Sequence, residues 1–382
     1  MKETKGYFSR SSHLVYPIPG NEGSTNLHMT TLKIGVIGAG SISQYHLTPY
    51  KNNPNATLHA VCDMNLERAQ QTAEKYEAPH AYSDYNELLA NEEIDAVSIC
   101  TWNDTHAEIA IAALKAGKHV LVEKPLCRTV EEAYKIQKAV EESGKILQVG
   151  FVRRYDPNAQ MLRSFIDDGE FGELYYAKAS YIRRLGNPGG WFSDSRRSGG
   201  GPLIDIGVHV IDLCWYMMGR PKVKSVTGNT YRKLGDRSNI KNLSSYKAAD
   251  YNPETQDNDV EDLANALIRF ENGATMMVDV SFTLHAKENE GTVKLYGEKG
   301  GFEIDPEVVI VTEKNDTIIN ISPQTDSKGF QFEKAFQAEI DHFVECIQTG
   351  KQPISPVEDG VEVMKILRGI YESASTGKEV YL

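Results

Sequence analysis

The chain has 382 residues, with 53 Asp and Glu against 41 Lys and Arg, a net charge of −12 and a pI near 5.4. That length exceeds one ordinary core and predicts two domains of roughly 100–200 residues each, while the acidity excludes nucleic acid and an anionic membrane as partners, since both need a clustered positive face. No run approaches the roughly 18 apolar residues that span a bilayer, so a soluble, cytoplasmic protein is expected.

Cys62, Cys100, Cys127, Cys214 and Cys346 are odd in number and spread through apolar segments, the pattern of buried, reduced thiols. None forms C-x-x-C, and the ten histidines lack H-E-x-x-H or H-x-x-E-H spacing, so no metal site is expected. Residues 1–30 show neither an apolar export core nor a helical or strand period; they are expected to be a flexible leader, with Met29 an alternative start.

From Lys33 strands and helices alternate. KIGVIG, TLHAVCD, IDAVSICT, KHVLVEKP and KILQVGF are predicted strands, and LERAQQTAEKY, HAEIAIAALKAG and VEEAYKIQKAVEESG are predicted helices between them. Near-continuous Val, Ile and Leu indicates strands buried on both faces, hence an α/β fold with a doubly wound parallel sheet and ligands at the carboxyl ends of its strands. The first strand runs into GAGSIS, residues 38–43. Gly38 suits the tight turn, Gly40 admits a pyrophosphate, and the helix starting near Ser41 meets its charge, which makes Ser41 and Ile42 cofactor candidates. Ser43 replaces the third glycine of G-x-G-x-x-G with another small residue. Asp63 ends the second strand, where a carboxylate accepts from the adenosine ribose and repels a 2′-phosphate, favouring NAD over NADP. Arg68 argues the other way, and the alternative role for Asp63 is to cap the next helix.

The third strand ends in CTWNDTH, the fourth in VEKP, and a glycine-led helix carries D-x-G-x-H at residues 205–209. Together with GAGSIS, these motifs resemble the Gfo/Idh/MocA family of sugar and polyol dehydrogenases, and GFVRRYDP at 150–157 is similar to its inositol-dehydrogenase branch. The resemblance runs from Lys33 to the end of the chain. It implies NAD as cofactor, Thr101, Asn103 and His106 beside ribose and nicotinamide, and Glu123 and Lys124 beside nicotinamide and substrate. Trp102 departs from the family, which usually has proline there. On the residues alone, Lys124 is either a solvated strand end before Pro125 or a cation aimed into the cleft. Arg153 is implied as a substrate contact; its alternative is an inter-domain salt bridge.

After a helix in RRYDPNAQMLRSFIDDG, the segments ELYYAKASYIRR, KVKSVTGNTY, VEDLANALIRF, ATMMVDVSFTL, GTVKLYGEKGGFEI and EVVIVTEKNDTIINI predict an α+β domain with one large, mainly antiparallel open sheet. The resemblance implies a homodimer or homotetramer built on such a sheet. Arg183 and Trp191, in RRLGNPGGWFSDSRRSGGG, are candidate substrate residues, the alternative for the arginines being solvated ion pairs. The polar segment 232–258 is either a lid or a disordered insertion. Two closing helices are predicted to stop at Gly350 and Gly377, with His342 on the helix surface.

GGGPLIDIGVHVIDLCWYMMG, residues 199–219, reads as an apolar helix interrupted by Asp205, His209 and Asp212, which fall within roughly 60° on an α-helical wheel. One reading is a set of satisfied buried polar groups. The other is a site: His209 as acid/base, Asp205 as its partner, Lys124 stabilising alkoxide charge, and Asp212 in support, the roles that the resemblance implies for the first three. The expected organisation is a leader to residue 30, a dinucleotide-binding domain over 31–152 and a substrate-binding and oligomerisation domain over 153–382. The expected function is hydride transfer between a secondary hydroxyl of a cyclic polyol or sugar and NAD. The alternatives are a redox-neutral glycosidase of the same fold and a non-catalytic nucleotide sensor.

Overall fold

Six short strands, most of them rich in Val, Ile and Leu, pair side by side. In the computed structural model, which describes residues 30–235, 237–252, 254 and 258–382, they are β1 (Leu32–Ile37), β2 (Ala56–Cys62), β3 (His80–Tyr82), β4 (Ala96–Ile99), β5 (His119–Glu123) and β6 (Leu147–Gly150). Except for Thr30, the expected leader lies outside the described residues. All pairs are parallel, in the order β3-β2-β1-β4-β5-β6. β4 is buried along its whole length, as a strand covered by helices on both faces must be. The connecting helices are α1 (Gln44–Asn52), α2 (Leu66–Tyr76), α3 (Tyr85–Leu89), α4 (Asn103–Lys115) and α5 (Val130–Ser143). The sequence pattern identified five of these strands. β3, with three residues, is too short to carry a period.

The remaining elements build the second sheet and its cover: α6 (Pro157–Asp167), β7 (Leu174–Ile182), α7 (Ser195–Ser198), α8 (Val208–Met217), β8 (Val223–Tyr231), β9 (Leu263–Phe270), β10 (Thr275–Ser281), β11 (Glu290–Gly297), β12 (Gly300–Glu303), β13 (Val309–Lys314), β14 (Thr317–Ile321), α9 (Phe332–Thr349), α10 (Val357–Thr376) and β15 (Val380–Tyr381). Nine strands lie in the order β14-β13-β12-β11-β7-β10-β9-β8-β15, antiparallel except where β7 meets β10. β9 alternates half-buried and buried residues along its length, the signature of a sheet with one covered face. α8 and α10 cover that face, and one hydrophobic core runs from Val120 and Val149 of the first sheet through Leu213 and Ile366 to Val278 of the second.

Two local details bear on function. Leu203–Gly207 form a π-turn that passes directly into α8, so residues 203–217 are not one uniform α-helix. The described part of the 232–258 segment is tied down at several points: Lys247 Nζ donates to Asn187 O at 2.9 Å, Ala248 N to Pro188 O at 2.9 Å, and Asp250 accepts from Trp191 N at 3.0 Å. All five cysteines are buried and form no disulfide. His342 is not a free surface residue: its Nε2 accepts the Ile354 N–H at 3.0 Å, capping the entry of the chain into the loop before α10.

Candidate active site

The turn after β1 is shaped for an anion. Gly38 has φ +94°, and a Cβ there would lie 2.6 Å from Cys100 O, so only glycine fits. A Cβ on Gly40 would meet nothing within 4 Å, leaving open space over the backbone. α1 begins at Gln44, three residues later than the sequence suggests, because Ser43 folds back: its N–H and Oγ both bond Gly40 O, at 3.2 and 2.7 Å. Among the described residues, the N–H groups of Gly40, Ser41 and Ile42 have no hydrogen-bond partner. Three free donors in succession before a helix are a receptor for phosphate oxygens.

Asp63 closes the same turn. Its Oδ2 accepts the Ala39 N–H at 2.9 Å, and its Oδ1 accepts from Asn65 N at 2.9 Å and Arg68 Nη2 at 2.7 Å. Burial alone would raise the carboxyl, but the Arg68 hydrogen bond and the two N–H groups outweigh it and hold it below the usual range. The cap of α2 is Asn65, whose side chain accepts the Arg68 N–H, so Asp63 is free of that role.

The ends of β4 and β5 are bound to each other by His106, whose Nδ1 lies 2.8 Å from Pro125 O and whose Nε2 lies 3.1 Å from Thr101 O. His106 is completely buried, its ring held between the two strand-end loops, where the single N–H of a neutral imidazole serves one of the two carbonyls. Glu123 likewise turns inward. Its Oε1 meets His46 Nε2 at 2.9 Å and its Oε2 accepts the Lys124 N–H at 3.1 Å, while Ser98 Oγ lies 3.3 Å from His46 Nδ1 and 2.8 Å from Tyr50 OH. This buried chain fixes the backbone under Lys124. His46, Ser98 and Tyr50 carried no motif, and only a three-dimensional pairing could reveal them.

Asn103 is also buried and donates to Ser198 O at 2.7 Å. Thr101 remains at the rim, its Oγ1 accepting from Thr105 Oγ1 at 2.7 Å. The unusual Trp102 receives the Arg197 guanidinium over its ring at 4.7 Å. Together with the Asn103–Ser198 bond, this cation–π contact fastens α7 to the start of α4.

Lys124 reaches across to the glycine-led helix. Its Nζ donates to Asp205 Oδ1 at 3.1 Å and to Asp205 O at 2.9 Å. Asp205 therefore pairs with Lys124 rather than with His209, correcting the expected Asp205–His209 couple. The wheel treated residues 205–212 as one α-helix, and the π-turn at 203–207 breaks that assumption. Asp212 is separate from both: it is buried and accepts a two-point contact from fully buried Arg154, at 3.0 and 2.6 Å, and Arg154 also bonds Asp359. Neighbouring arginines in GFVRRYDP thus serve different purposes, a distinction that the sequence does not display.

His209 is half-buried, and its buried Nδ1 has no hydrogen-bond partner. Burial first, then the charges of Lys124, Arg153 and Arg183, push its pKa well below the usual value. Cations from three other segments of the chain therefore act on one imidazole. Arg153 itself bonds Asp305 and lies 5.2 Å over the Phe330 ring, a salt bridge within the second domain and not the inter-domain one posed as the alternative, while its Nε stays unpartnered. Arg183 lies 5.1 Å over the Tyr181 ring. Trp191 lines a cavity of about 770 Å³ with Asp194, Arg197, Asp250 and Asp259, and its N–H donates to Asp250 at 3.0 Å.

A family model described as oxidoreductase family, NAD-binding Rossmann fold (GFO_IDH_MocA) matches residues 32–151, and its companion, the C-terminal alpha/beta domain, matches residues 163–382. D-glucoside 3-dehydrogenase of Escherichia coli (strain K12) is 32% identical over 354 residues, covering 92% of this chain and 97% of that protein. The scyllo-inositol 2-dehydrogenase (NAD(+)) of Bacillus subtilis (strain 168) is 31% identical over 328 residues, covering 85% and 88%. Among solved structures, levoglucosan dehydrogenase in complex with NADH and L-sorbose superimposes with a TM-score of 0.82 at 25% identity, covering 92% and 99%.

Proposed function

The chain belongs to the Gfo/Idh/MocA family of NAD-binding oxidoreductases, and from that premise we propose that it moves hydride between a secondary hydroxyl of a cyclic polyol or sugar and NAD, with His209 as acid/base. The observation that carries this reading is the His209 imidazole, kept neutral by burial and three cations and joined to no carboxylate. A neutral imidazole in a cleft accepts a hydroxyl proton, and the surrounding positive charge favours the alkoxide that results. NAD supplies the hydride acceptor.

The free N–H groups of Gly40, Ser41 and Ile42 and the open space beside Gly40 fit a dinucleotide diphosphate. Asp63 then faces the adenosine ribose. We assign NAD rather than NADP because this carboxylate, charged and bound to Ala39 N–H, repels a 2′-phosphate while Arg68 is occupied by it. Thr101 borders the nicotinamide end; His106, Asn103 and Glu123 support the loops from behind. Lys124, anchored by Asp205, stabilises the alkoxide, and Arg153 and Arg183 offer donors to the remaining hydroxyls of the ring.

The relatives are named for a glucoside, an inositol and levoglucosan. A neutral ring bearing adjacent secondary hydroxyls is the substrate class proposed here. Residues 31–152 hold the cofactor and 153–382 the substrate, and the outer face of the nine-stranded sheet is the surface for self-association as a dimer or tetramer. No helix among the described residues is long and apolar enough to cross a membrane. Five buried free thiols suit the reducing cytoplasm, which is the proposed location.

The test is a screen of NAD and NADP reduction against inositols, aldoses, glucosides and anhydrosugars, run with wild type and His209→Ala. Reduction of NAD with at least one ring polyol, lost in the variant, is expected; no reduction with any of them would overturn the reading.

A further inference from the structure

Toward the other end of the first sheet, away from the glycine turn, three metal-ligating side chains meet. His59 comes from β2, His80 is the first residue of β3, and Glu93 stands in the turn before β4. One donor atom from each lies within 4.8 Å of the other two. His59 and His80 are neighbours because the β2–β3 register pairs Ala60 with His80, and their rings stand edge to face with centroids 4.9 Å apart.

His59 is the buried member of the cluster: its side chain is only 9% exposed, and its Nε2 faces Glu93 Oε2 at 3.1 Å. The other Glu93 oxygen, Oε1, accepts from Lys33 Nζ at 2.9 Å, which orients the carboxylate and leaves Oε2 toward the histidines.

We propose that His59, His80 and Glu93 bind a divalent transition-metal ion of the zinc class, with three protein ligands and one position left for water. Two imidazoles and one carboxylate are borderline donors that suit zinc and its neighbours better than magnesium or calcium. Ligand atoms about 2.05 Å from a tetrahedral ion stand about 3.4 Å from one another. The site therefore needs only small side-chain rotations from its present 4.8 Å limit. The ion joins β2, β3 and the turn before β4, so its effect is on the stability of the sheet edge and not on hydride transfer. No local spacing motif announces it, since the ligands are 21 and 13 residues apart in the chain.

The experiment uses the full chain stripped with a chelator and dialysed against Zn²⁺, with bound metal counted by mass spectrometry, affinity measured by calorimetry, and Co²⁺ used as a visible-absorption probe of geometry. Wild type should hold one Zn²⁺ more per chain than His80→Ala, give tetrahedral Co²⁺ bands, and rise in thermal midpoint when Zn²⁺ is added. His80→Ala and Glu93→Gln should each weaken binding at least tenfold and lose the midpoint rise while retaining NAD-dependent turnover. These two variants carry the test because replacement of buried His59 endangers the sheet itself. Equal metal content and equal midpoint shifts in wild type and His80→Ala would overturn the proposal.

Discussion

Lys124 Nζ holds Asp205 at two points, the carboxylate at 3.1 Å and the backbone carbonyl at 2.9 Å, and this double contact joins the end of β5 to the π-turn before α8. It leaves His209, four residues on, with cations around it and no carboxylate bonded to its ring. The proposed base is therefore set by electrostatics instead of by a hydrogen-bonded acid.

Replacing His209 with Ala should lower turnover by about two to four orders of magnitude, the span of a positioned acid/base. The NAD dissociation constant, measured by fluorescence titration, should change little, because His209 makes no hydrogen bond with the glycine turn. An unchanged kcat would remove His209 from the reaction.

The pH dependence has a defined sign. The His209 pKa lies well below 6.5, and its neutral form is the one that accepts a proton. The acid limb of kcat/KM for alcohol oxidation should consequently fall below pH 6.5, and a limb at or above that pH contradicts the assignment. His106 is also lowered, and His119, whose Nδ1 accepts the Ile146 N–H, is pushed down to about 4, both chiefly by burial. Below pH 6.5 the unfolded chain binds protons that the native imidazoles refuse, so stability should fall as pH drops from 6.5 toward 4. His119→Gln, which keeps an acceptor for Ile146, should weaken that acid sensitivity in thermal melts.

Asp63→Ser should move cofactor preference toward NADP. The substitution removes the repelling carboxylate and releases Arg68 from its 2.7 Å bond, leaving a guanidinium beside the 2′-phosphate position. A change of about tenfold or more in the NAD to NADP ratio of kcat/KM is expected, equivalent to ~1.4 kcal/mol.

Arg154→Leu should destabilise the fold by about 3–5 kcal/mol, because it strands Asp212 in the interior without its cation, while Asp359 keeps only Arg220. Burial, only partly offset by Arg154, already pushes Asp212 up to about 6. Denaturant midpoints should show a deficit that shrinks as the pH is lowered, since protonation removes the stranded charge.

The elements that a reader of sequence can find are those whose signal is local. The Val- and Ile-rich runs identified five of the six parallel strands, and the glycines at 38 and 40 identified the phosphate turn, because backbone conformation is written in the residue that adopts it. Lys124, His209, Arg153 and Arg183 stand in motifs that a reader can pick out. What stayed hidden was partnership. Glu123 and His106 sit in motifs near strand ends, and only the structure shows that one meets His46 and the other the carbonyls of Pro125 and Thr101; Arg153 and Arg154 differ in destination although they are adjacent. Asp205 was misassigned because one π-turn changes which neighbour a side chain reaches, and nothing in the local sequence LIDIG marks that turn.

That turn also makes chain length a variable in its own right. A π-turn holds one more residue than the α-turn it replaces, so deleting a single residue within 203–207 would restore a plain helix and rotate everything upstream by about 100° relative to His209. α8 would stay packed where it is, but Asp205 would swing off Lys124 and the glycine run would re-enter at another angle. Descendants of this chain can therefore redraw the wall beside His209 by an insertion or deletion, keeping every side chain of the helix itself.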